Sequence, residues 1–297
     1  MPHHILKKTV YRLALGLSCI CGNTMIESAE VHVEKGIPFA EVDGIELKLD
    51  LYRPSSSEKA PVIVWVHGGA WRAGSRASMP LKPFVDHGYA IASVDYRLSP
   101  VAPFPAQIHD IKASIRFLRA KARSLNLDTL NITIAGASAG GHLVALVGTT
   151  NGHRELEGTV GQYLEQSSDV QLIVSYYGAS NLSSILNQST PHGLGVRVPA
   201  LQLLLGGQPK DVPAIAKLAS PVTHVDETDP PLLLLHGDQD PQMPINQSHE
   251  LHGRYQALEL PTHLIVIHGA AHGGPAFYDK KQNTAVLKFL ERHLNPK

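Results

Sequence analysis

Six short apolar runs, rich in β-branched residues, recur along the chain and predict buried β-strands. The six runs are Val62–Val66, Tyr89–Val94, Ile132–Ala135, Val170–Tyr177, Leu232–Leu235 and Leu264–Ile267. Five further stretches predict helices: Leu81–His87 (closed by Gly88), Ile108–Ala122, Ala139–Val147, Ile245–Leu258 and Phe277–Leu294. Buried strands that alternate with helices indicate an α/β fold, in which a mostly parallel sheet carries helices on both faces.

A different pattern precedes these runs. Residues Ala40–Tyr52 alternate between apolar and polar around Asp43-Gly44, a pair that favours a tight hairpin turn. This hairpin is expected to form an antiparallel N-terminal edge of the sheet. The pattern predicts a single domain over residues 30–297, in which the long, weakly patterned segment 178–231 forms a lid or a pocket wall.

The N-terminal segment has the pattern of a signal peptide. Lys7, Lys8 and Arg12 are basic, and the apolar stretch Leu13–Ile20 that follows is too short to span a bilayer. We therefore expect a signal peptide over residues 1–29 and export to the periplasm or the medium. The alternative is a short N-terminal helix on a cytoplasmic protein.

Composition narrows the range of partners. Lys plus Arg equals Asp plus Glu at 26 each, which gives no electrostatic reason to expect binding to nucleic acid or to an anionic membrane. No stable membrane insertion is expected either, and the sequence carries no signal for an oligomeric state. Both cysteines, Cys19 and Cys21, fall in the predicted signal peptide, so no disulfide is expected in the folded domain.

A candidate nucleophile follows the third predicted strand. The segment Gly136–Gly140 has the pattern G-x-S-x-G, with Ser138 at its centre, between a strand and a helix. Such a turn is so tight that flanking side chains would clash, which explains the glycines. It exposes the serine hydroxyl at a helix N-terminus, where the helix dipole favours developing negative charge.

Backbone donors for that charge are expected from another glycine-rich loop. His67–Trp71, with the sequence His-Gly-Gly-Ala-Trp, follows the strand run Val62–Val66. We assign the N–H groups of Gly69, Ala70 and Ala139 to an oxyanion hole, because such donors stabilise a tetrahedral intermediate. His67 is expected to hold the loop rather than to transfer protons.

A general base and its orienting acid are expected late in the chain. His272 lies in the loop after the last predicted strand, and Asp240 lies in the loop after the preceding one. Asp238 and His268 are the alternatives, but Asp240 lies further along its loop, and His268 still lies at the end of its strand. No metal site is expected, because the spacing of His268 and His272 falls on a loop and not on a helix.

These motifs together resemble the α/β-hydrolase esterase/lipase family, in particular feruloyl-esterase-like and hormone-sensitive-lipase-like bacterial enzymes. The segments that carry the resemblance are His67–Trp71, Asp95–Pro100, Phe104–Ala106, Gly136–Leu143, Ser220–Thr223, His236–Asp240 and His272–Gly273. The order Ser138, Asp240, His272 is also the order of that family. Ala70 in place of a third glycine, and the absence of a long helical cap, favour the feruloyl-esterase-like group.

The resemblance implies a serine carboxylic-ester hydrolase that acts through an acyl-enzyme on a small-molecule ester, without a cofactor. Short-chain or aryl esters are the expected substrates. Feruloyl or acetyl esters of plant polysaccharide are one alternative, and an arylformamidase-like amide hydrolysis is another, since His-Gly-Gly-x-Trp also resembles arylformamidases. Four residues are expected to line the substrate pocket: Trp71, Tyr176, Tyr177 and Met243.

Overall fold

A computed structural model describes residues 31–56 and 58–294, so the predicted signal peptide and both cysteines lie outside the described residues. Within these residues, eight strands form one sheet in the order β1-β2-β4-β3-β5-β6-β7-β8. The strands are β1 (Val31–Val42), β2 (Ile45–Pro54), β3 (Ala60–Val66), β4 (Ala90–Val94), β5 (Leu127–Ala137), β6 (Leu172–Tyr176), β7 (Leu232–Gly237) and β8 (Thr262–Ile267).

Helices occupy most of the connections between the strands. The α-helices are α1 (Ala106–Ala120), α2 (Ala139–Gly148), α3 (Arg154–Glu157), α4 (Ile185–Gln188), α5 (Pro191–Leu205), α6 (Pro213–Leu218), α7 (Asn246–Ala257) and α8 (Lys280–Leu294). The described part of the chain also has three short 3₁₀ helices, at Lys82–His87, Pro221–Thr223 and Pro275–Phe277. Within the ranges that the structure describes, no helix is both long enough and apolar enough to cross a bilayer.

The predicted fold class is confirmed. β1 and β2 form an antiparallel hairpin in which Val42 pairs with Ile45, and its two turn residues, Asp43 and Gly44, have φ angles of 52° and 76°. Two left-handed residues at a two-residue turn match the right-handed twist of the strands, which explains the Asp-Gly pair. β2 then pairs antiparallel with β4, and all pairs from β4 through β8 are parallel.

The core lies on both faces of the sheet. In β3, the side chains of Val62, Val64 and Val66 join the cluster that packs against α1 and α2, whereas Ile63 and Trp65 join the cluster that packs against α8. Side chains alternate between the faces of a strand, so a strand that is covered on both sides needs an unbroken apolar run. The apolar runs of the sequence have this physical cause.

Several elements differ from their predicted bounds. The helix predicted at Leu81–His87 is the 3₁₀ helix Lys82–His87, which ends at left-handed Gly88 (φ 88°). α8 begins at Lys280, because Phe277 belongs to the separate 3₁₀ turn Pro275–Phe277 that precedes it. The weakly patterned segment 178–231 contains α4, α5, α6 and a 3₁₀ turn.

Candidate active site

Ser138 lies in a tight turn between β5 and α2. Its φ angle is 55°, and its backbone N–H donates to the Tyr176 carbonyl of β6 at 2.9 Å. A Cβ on Gly140 would lie 2.1 Å from the Val66 carbonyl oxygen, and a Cβ on Gly136 would lie 2.6 Å from the Gly140 oxygen. Only glycine fits at both positions, and the resulting turn leaves the serine half-buried at the N-terminus of α2.

His272 connects Ser138 to a buried carboxylate. Its Nε2 lies 2.8 Å from Ser138 Oγ, and its Nδ1 lies 2.6 Å from Asp240 Oδ2. A carboxylate can only accept, so Nδ1 carries the proton and Nε2 is free to accept the hydroxyl proton of the serine. This arrangement can withdraw the proton from Oγ while the carboxylate stabilises the imidazolium that forms.

Asp240 is fixed in position and held ionised. Its Oδ1 accepts the backbone N–H groups of Gln242 and Met243, each at 2.8 Å, and its side chain is fully buried. Burial opposes ionisation, but hydrogen bonding from His236 and His272 outweighs it, so the pKa of Asp240 lies well below its usual range. The carboxylate therefore remains an anion throughout the neutral range.

The rival pair forms a separate contact on the surface. His268 Nδ1 lies 2.8 Å from Asp238 Oδ2, and the His268 side chain is 85% exposed. The structure thus brings His272 and Asp240, rather than His268 and Asp238, to Ser138. In the described part of the chain, no three His, Cys, Asp or Glu side chains are grouped so that they could hold a metal ion.

The loop after β3 presents unpaired backbone donors beside Ser138. Gly69 and Ala70 line the same cavity as Ser138, and Ala139 is the first residue of α2. Gly69 has a φ of 110°, and a Cβ there would lie 2.1 Å from the Ala73 carbonyl oxygen, so the loop requires glycine. Across residues 31–56 and 58–294, none of these three N–H groups donates to a protein acceptor.

Four non-glycine residues with left-handed backbone surround the site. Ala70, Trp71, Ser138 and Tyr177 have φ angles of 51°, 59°, 55° and 40°. Each such conformation costs about 1–3 kcal/mol and persists only where the surroundings fix it. The surroundings do so here, since the Trp71 carbonyl accepts from Ser99 N–H at 2.8 Å and the Tyr177 N–H donates to the Leu235 carbonyl at 2.7 Å.

His67 supports the loop, as its contacts indicate. Its Nδ1 lies 2.7 Å from the Gly68 carbonyl oxygen, and its ring stacks on Tyr96 with 4.4 Å between centroids. Burial lowers the pKa of His67, which keeps the ring neutral. No hydrogen bond joins it to Ser138 or Asp240 within the described chain.

The cavity at Ser138 has a volume of about 870 Å³. Its wall combines aromatic, aliphatic and polar groups. Besides Ser138, His272 and the loop after β3, it is lined by Trp65, Ser78, Met79, Pro80, Tyr177, Arg197, Gln242 and Tyr278. This volume falls in the range of small-molecule sites, which are typically about 300–1,000 Å³.

Of the four residues predicted to line the pocket, only Tyr177 reaches this wall. Trp71, Tyr176 and Met243 are fully buried in the interior, away from the cavity. Trp71 turns inward, where its Nε1 donates to His142 Nδ1 at 3.1 Å, and Tyr176 packs edge-on against Trp65. The correction has a simple cause: proximity to the site along the chain does not fix which way a side chain turns.

Two contributors to the site were not predicted from the sequence. His236, at the end of β7, lies 3.5 Å from Asp240 Oδ2 through Nε2. Arg197 lines the cavity from α5, and no motif surrounds it in the sequence. The position of His236 at a strand end was a usable signal, whereas Arg197 lies in the segment without a clear pattern.

Sequence comparison matches this chain to one protein family and to relatives named esterases. The sequence profile of the BD-FAE family matches residues 49–255. Esterase LipC of Mycobacterium tuberculosis is 32% identical over 232 residues, which cover 76% of this chain and 56% of that protein. The chain spans about half the length of the curated relatives it matches.

Solved structures are similar over most of the chain. One is described as a truncated form of a carbohydrate esterase from gut microbiota, at 30% identity and a TM-score of 0.82, covering 90% of this chain and 97% of that one. Another is a bifunctional GH43-CE protein of Bacteroides eggerthii, at 33% identity and a TM-score of 0.80, covering 88% of this chain and 35% of that one.

Proposed function

The chain belongs to the BD-FAE family of feruloyl-esterase-like α/β-hydrolases, and from this premise we propose that it is a serine carboxylic-ester hydrolase with a Ser138–His272–Asp240 triad. One observation carries the proposal. Ser138 Oγ, His272 and Asp240 form a continuous hydrogen-bonded row of 2.8 Å and 2.6 Å at the wall of a substrate-sized cavity. This row is the arrangement that activates a hydroxyl nucleophile.

In the first step, His272 Nε2 takes the Oγ proton as Oγ attacks the ester carbonyl carbon. The carbonyl oxygen becomes an oxyanion, which accepts hydrogen bonds from the N–H groups of Gly69, Ala70 and Ala139. One such donor is worth about 3–4 kcal/mol of barrier. The intermediate collapses as the alcohol leaves with the proton from His272, and an acyl-enzyme on Ser138 remains.

In the second step, His272 removes a proton from water, which attacks the acyl carbon. The second tetrahedral intermediate collapses, Ser138 regains the proton from His272, and the carboxylic acid is released. Asp240 keeps the imidazole in one tautomer throughout both steps. Each proton taken up by His272 is returned, so the cycle needs no cofactor.

The substrates we propose are short-chain or aryl esters. A cavity of about 870 Å³ with an aromatic wall at Tyr177 and Tyr278 accommodates an aryl group. One observation favours an acyl ester of a carbohydrate as the second candidate: a similar solved structure, at a TM-score of 0.82, is described as a carbohydrate esterase. The cavity is open to solvent rather than enclosed, which suits a bulky alcohol.

The test is a rate comparison across acyl groups. The wild type, Ser138→Ala and Ser78→Ala are each assayed with the same set of substrates. The set comprises aryl esters from acetyl to long acyl, methyl ferulate, acetylated xylan and an N-formyl aryl amide. Ser78 lines the same cavity and serves as the matched control. We expect ester hydrolysis that falls by about 10⁴-fold or more in Ser138→Ala and by less than about threefold in Ser78→Ala.

Two outcomes would contradict the proposal. Ester hydrolysis by Ser138→Ala at near wild-type rate would exclude Ser138 as nucleophile. Hydrolysis of the formyl amide without any ester hydrolysis would assign the site to amide chemistry instead.

A further inference from the structure

Arg197 places an unpaired guanidinium in the wall of the cavity. It lies on α5 and is 1% exposed, and one of its nitrogens, Nη2, donates to the Gln242 carbonyl at 3.0 Å. Its Nε is buried without a partner, and Nη1 donates to no protein acceptor in the described residues. A guanidinium has five N–H donors, and one of them is used by the residues that the structure describes.

The neighbouring carboxylate is not available to pair with Arg197. Asp240 is the acidic group that acts on it through space, but both oxygens of Asp240 already accept from His272, Gln242 and Met243. Arg197 forms no ion pair with any carboxylate of residues 31–56 and 58–294. Burial lowers its pKa to about 10, so it remains a cation at neutral pH.

The charged side chains that line the cavity, among the described residues, are both cationic. Its lining includes two arginines, Arg72 and Arg197, and, among the described residues, no aspartate or glutamate. Arg72 is exposed to solvent, whereas Arg197 is buried. Burying a cation without a partner is costly, and an anion that enters the cavity would remove that cost.

We propose that Arg197 forms an anion subsite that selects ester substrates bearing a carboxylate on either the acyl or the alcohol part. The proposal rests on the ester hydrolysis proposed above and specifies its substrate class. A guanidinium nitrogen forms a charge-assisted hydrogen bond with a carboxylate, and Nη1 is the donor left for it, because Nε is fully buried and Nη2 donates to Gln242. If Arg197 had a purely structural role, it would need one N–H to hold the Gln242 carbonyl, and its guanidinium would not need to lie in the cavity wall.

The experiment compares matched charged and neutral esters. For the acyl part, the nitrophenyl half-ester of glutaric acid is compared with its methyl-capped neutral form. For the alcohol part, the acetate of hydroxybenzoic acid is compared with the acetate of its methyl ester. The quantity measured is the ratio of kcat/KM for the charged ester to that for the neutral ester, corrected for the uncatalysed rate, at low salt.

We expect a ratio above one for at least one pair in the wild type, and the pair that shows it identifies the source of the carboxylate. In Arg197→Gln that ratio should fall by about 10- to 100-fold, the range for a charge-assisted hydrogen bond. In Arg254→Gln, a control at an exposed arginine of α7 that does not line the cavity, the ratio should change by less than about threefold. Near-ultraviolet circular dichroism checks that each variant is folded.

A wild-type ratio below one for both pairs would overturn the proposal, whether or not Arg197→Gln folds. An equal fall of the charged and neutral rates in Arg197→Gln, with the ratio unchanged, would assign Arg197 a structural role only. Failure of the proposed function looks different, because no ester of either charge would then be hydrolysed, and the subsite would fall with it.

Discussion

Replacing Asp240 with asparagine tests whether this carboxylate sets the tautomer of His272. The two backbone N–H groups of Gln242 and Met243 donate to Oδ1 at 2.8 Å each, so they keep the asparagine oxygen at that position. The amide NH₂ then replaces Oδ2 and faces His272 Nδ1, now 2.6 Å away. Two donors cannot face each other at this distance, so the imidazole moves its proton to Nε2.

With the proton on Nε2, His272 can no longer accept the proton of Ser138. We therefore expect kcat to fall by about 10⁴-fold, which corresponds to about 5.5 kcal/mol of barrier. The assay is steady-state hydrolysis of a short-chain aryl ester at neutral pH, on protein whose folding is verified by circular dichroism.

The pKa of Asp240 is lower in the folded than in the unfolded chain. The contribution of its ionised form to the free energy of unfolding is therefore present above the unfolded pKa and is lost only as pH falls through the lower folded value. Neutral pH is therefore the proper condition.

Asp238→Asn is the matched control. Asp238 lies two residues earlier in the same loop and makes the same kind of contact, 2.8 Å to His268 Nδ1, on the surface. We expect its kcat to stay within about threefold of the wild type. A loss of less than about tenfold in Asp240→Asn, or a comparable loss in both variants, would refute the reasoning.

Two further predictions concern the scaffold of the site. In Gly140→Ala, the new Cβ would lie 2.1 Å from a backbone oxygen of β3, so we expect a loss of at least about 1–3 kcal/mol in the free energy of unfolding and a loss of activity, measured by urea denaturation and ester hydrolysis. In Gly253→Ala, the control in α7 where nothing lies within 4 Å, stability should instead rise by about 0.5–1 kcal/mol. His142 is fully buried, and burial lowers its pKa to about 4, although its hydrogen bond to the Ala219 carbonyl partly opposes this. Between about pH 6.5 and 4, the unfolded chain therefore binds a proton at His142 that the folded chain does not bind. The free energy of unfolding should decrease as the pH is lowered through this range, by at most about 1.4 kcal/mol per pH unit from this group. His142→Gln should reduce that slope.

Each of these predictions can fail in a defined way. Equal stability of Gly140→Ala and the wild type would show that the turn has room for a methyl group. An unchanged slope of unfolding free energy against pH in His142→Gln would show that the histidine does not remain neutral in the fold.

The sequence predicted the sheet well because burial imposes its pattern directly. A strand covered on both faces requires an unbroken apolar run, and every such run corresponds to a strand of the structure. The hairpin turn at Asp43-Gly44 was predictable for the same kind of reason, because two left-handed residues are required there. The segment around Ser138 is also dictated by contact, since the glycines at 136 and 140 avoid backbone oxygens.

Helix α5 could not be predicted with the same means. It begins at the capping residue Thr190, whose side chain accepts from Gly193 N–H at 3.0 Å, but Pro199 lies inside it. A proline within a helix normally predicts its end. The segment therefore gave no helical signal, and with it the contribution of Arg197 to the cavity was missed.

The residues predicted to line the pocket show a second limit of prediction from the sequence. Trp71 lies at the end of the loop after β3, yet its backbone has a left-handed φ of 59° and its indole turns inward to His142. Met243 lies in the same loop as Asp240 and contributes its backbone N–H, while its side chain packs in the core. Whether a side chain faces a cavity depends on local dihedral angles that a residue pattern does not encode.

The most direct test of the central claim is covalent labelling with a serine-directed aryl phosphonate, followed by intact-mass and peptide-mapping mass spectrometry. The account predicts a single adduct per wild-type chain, located on Ser138, and none on Ser78 or in Ser138→Ala. An unlabelled wild type, or an adduct that persists in Ser138→Ala, would contradict the claim that His272 and Asp240 activate Ser138 as the nucleophile.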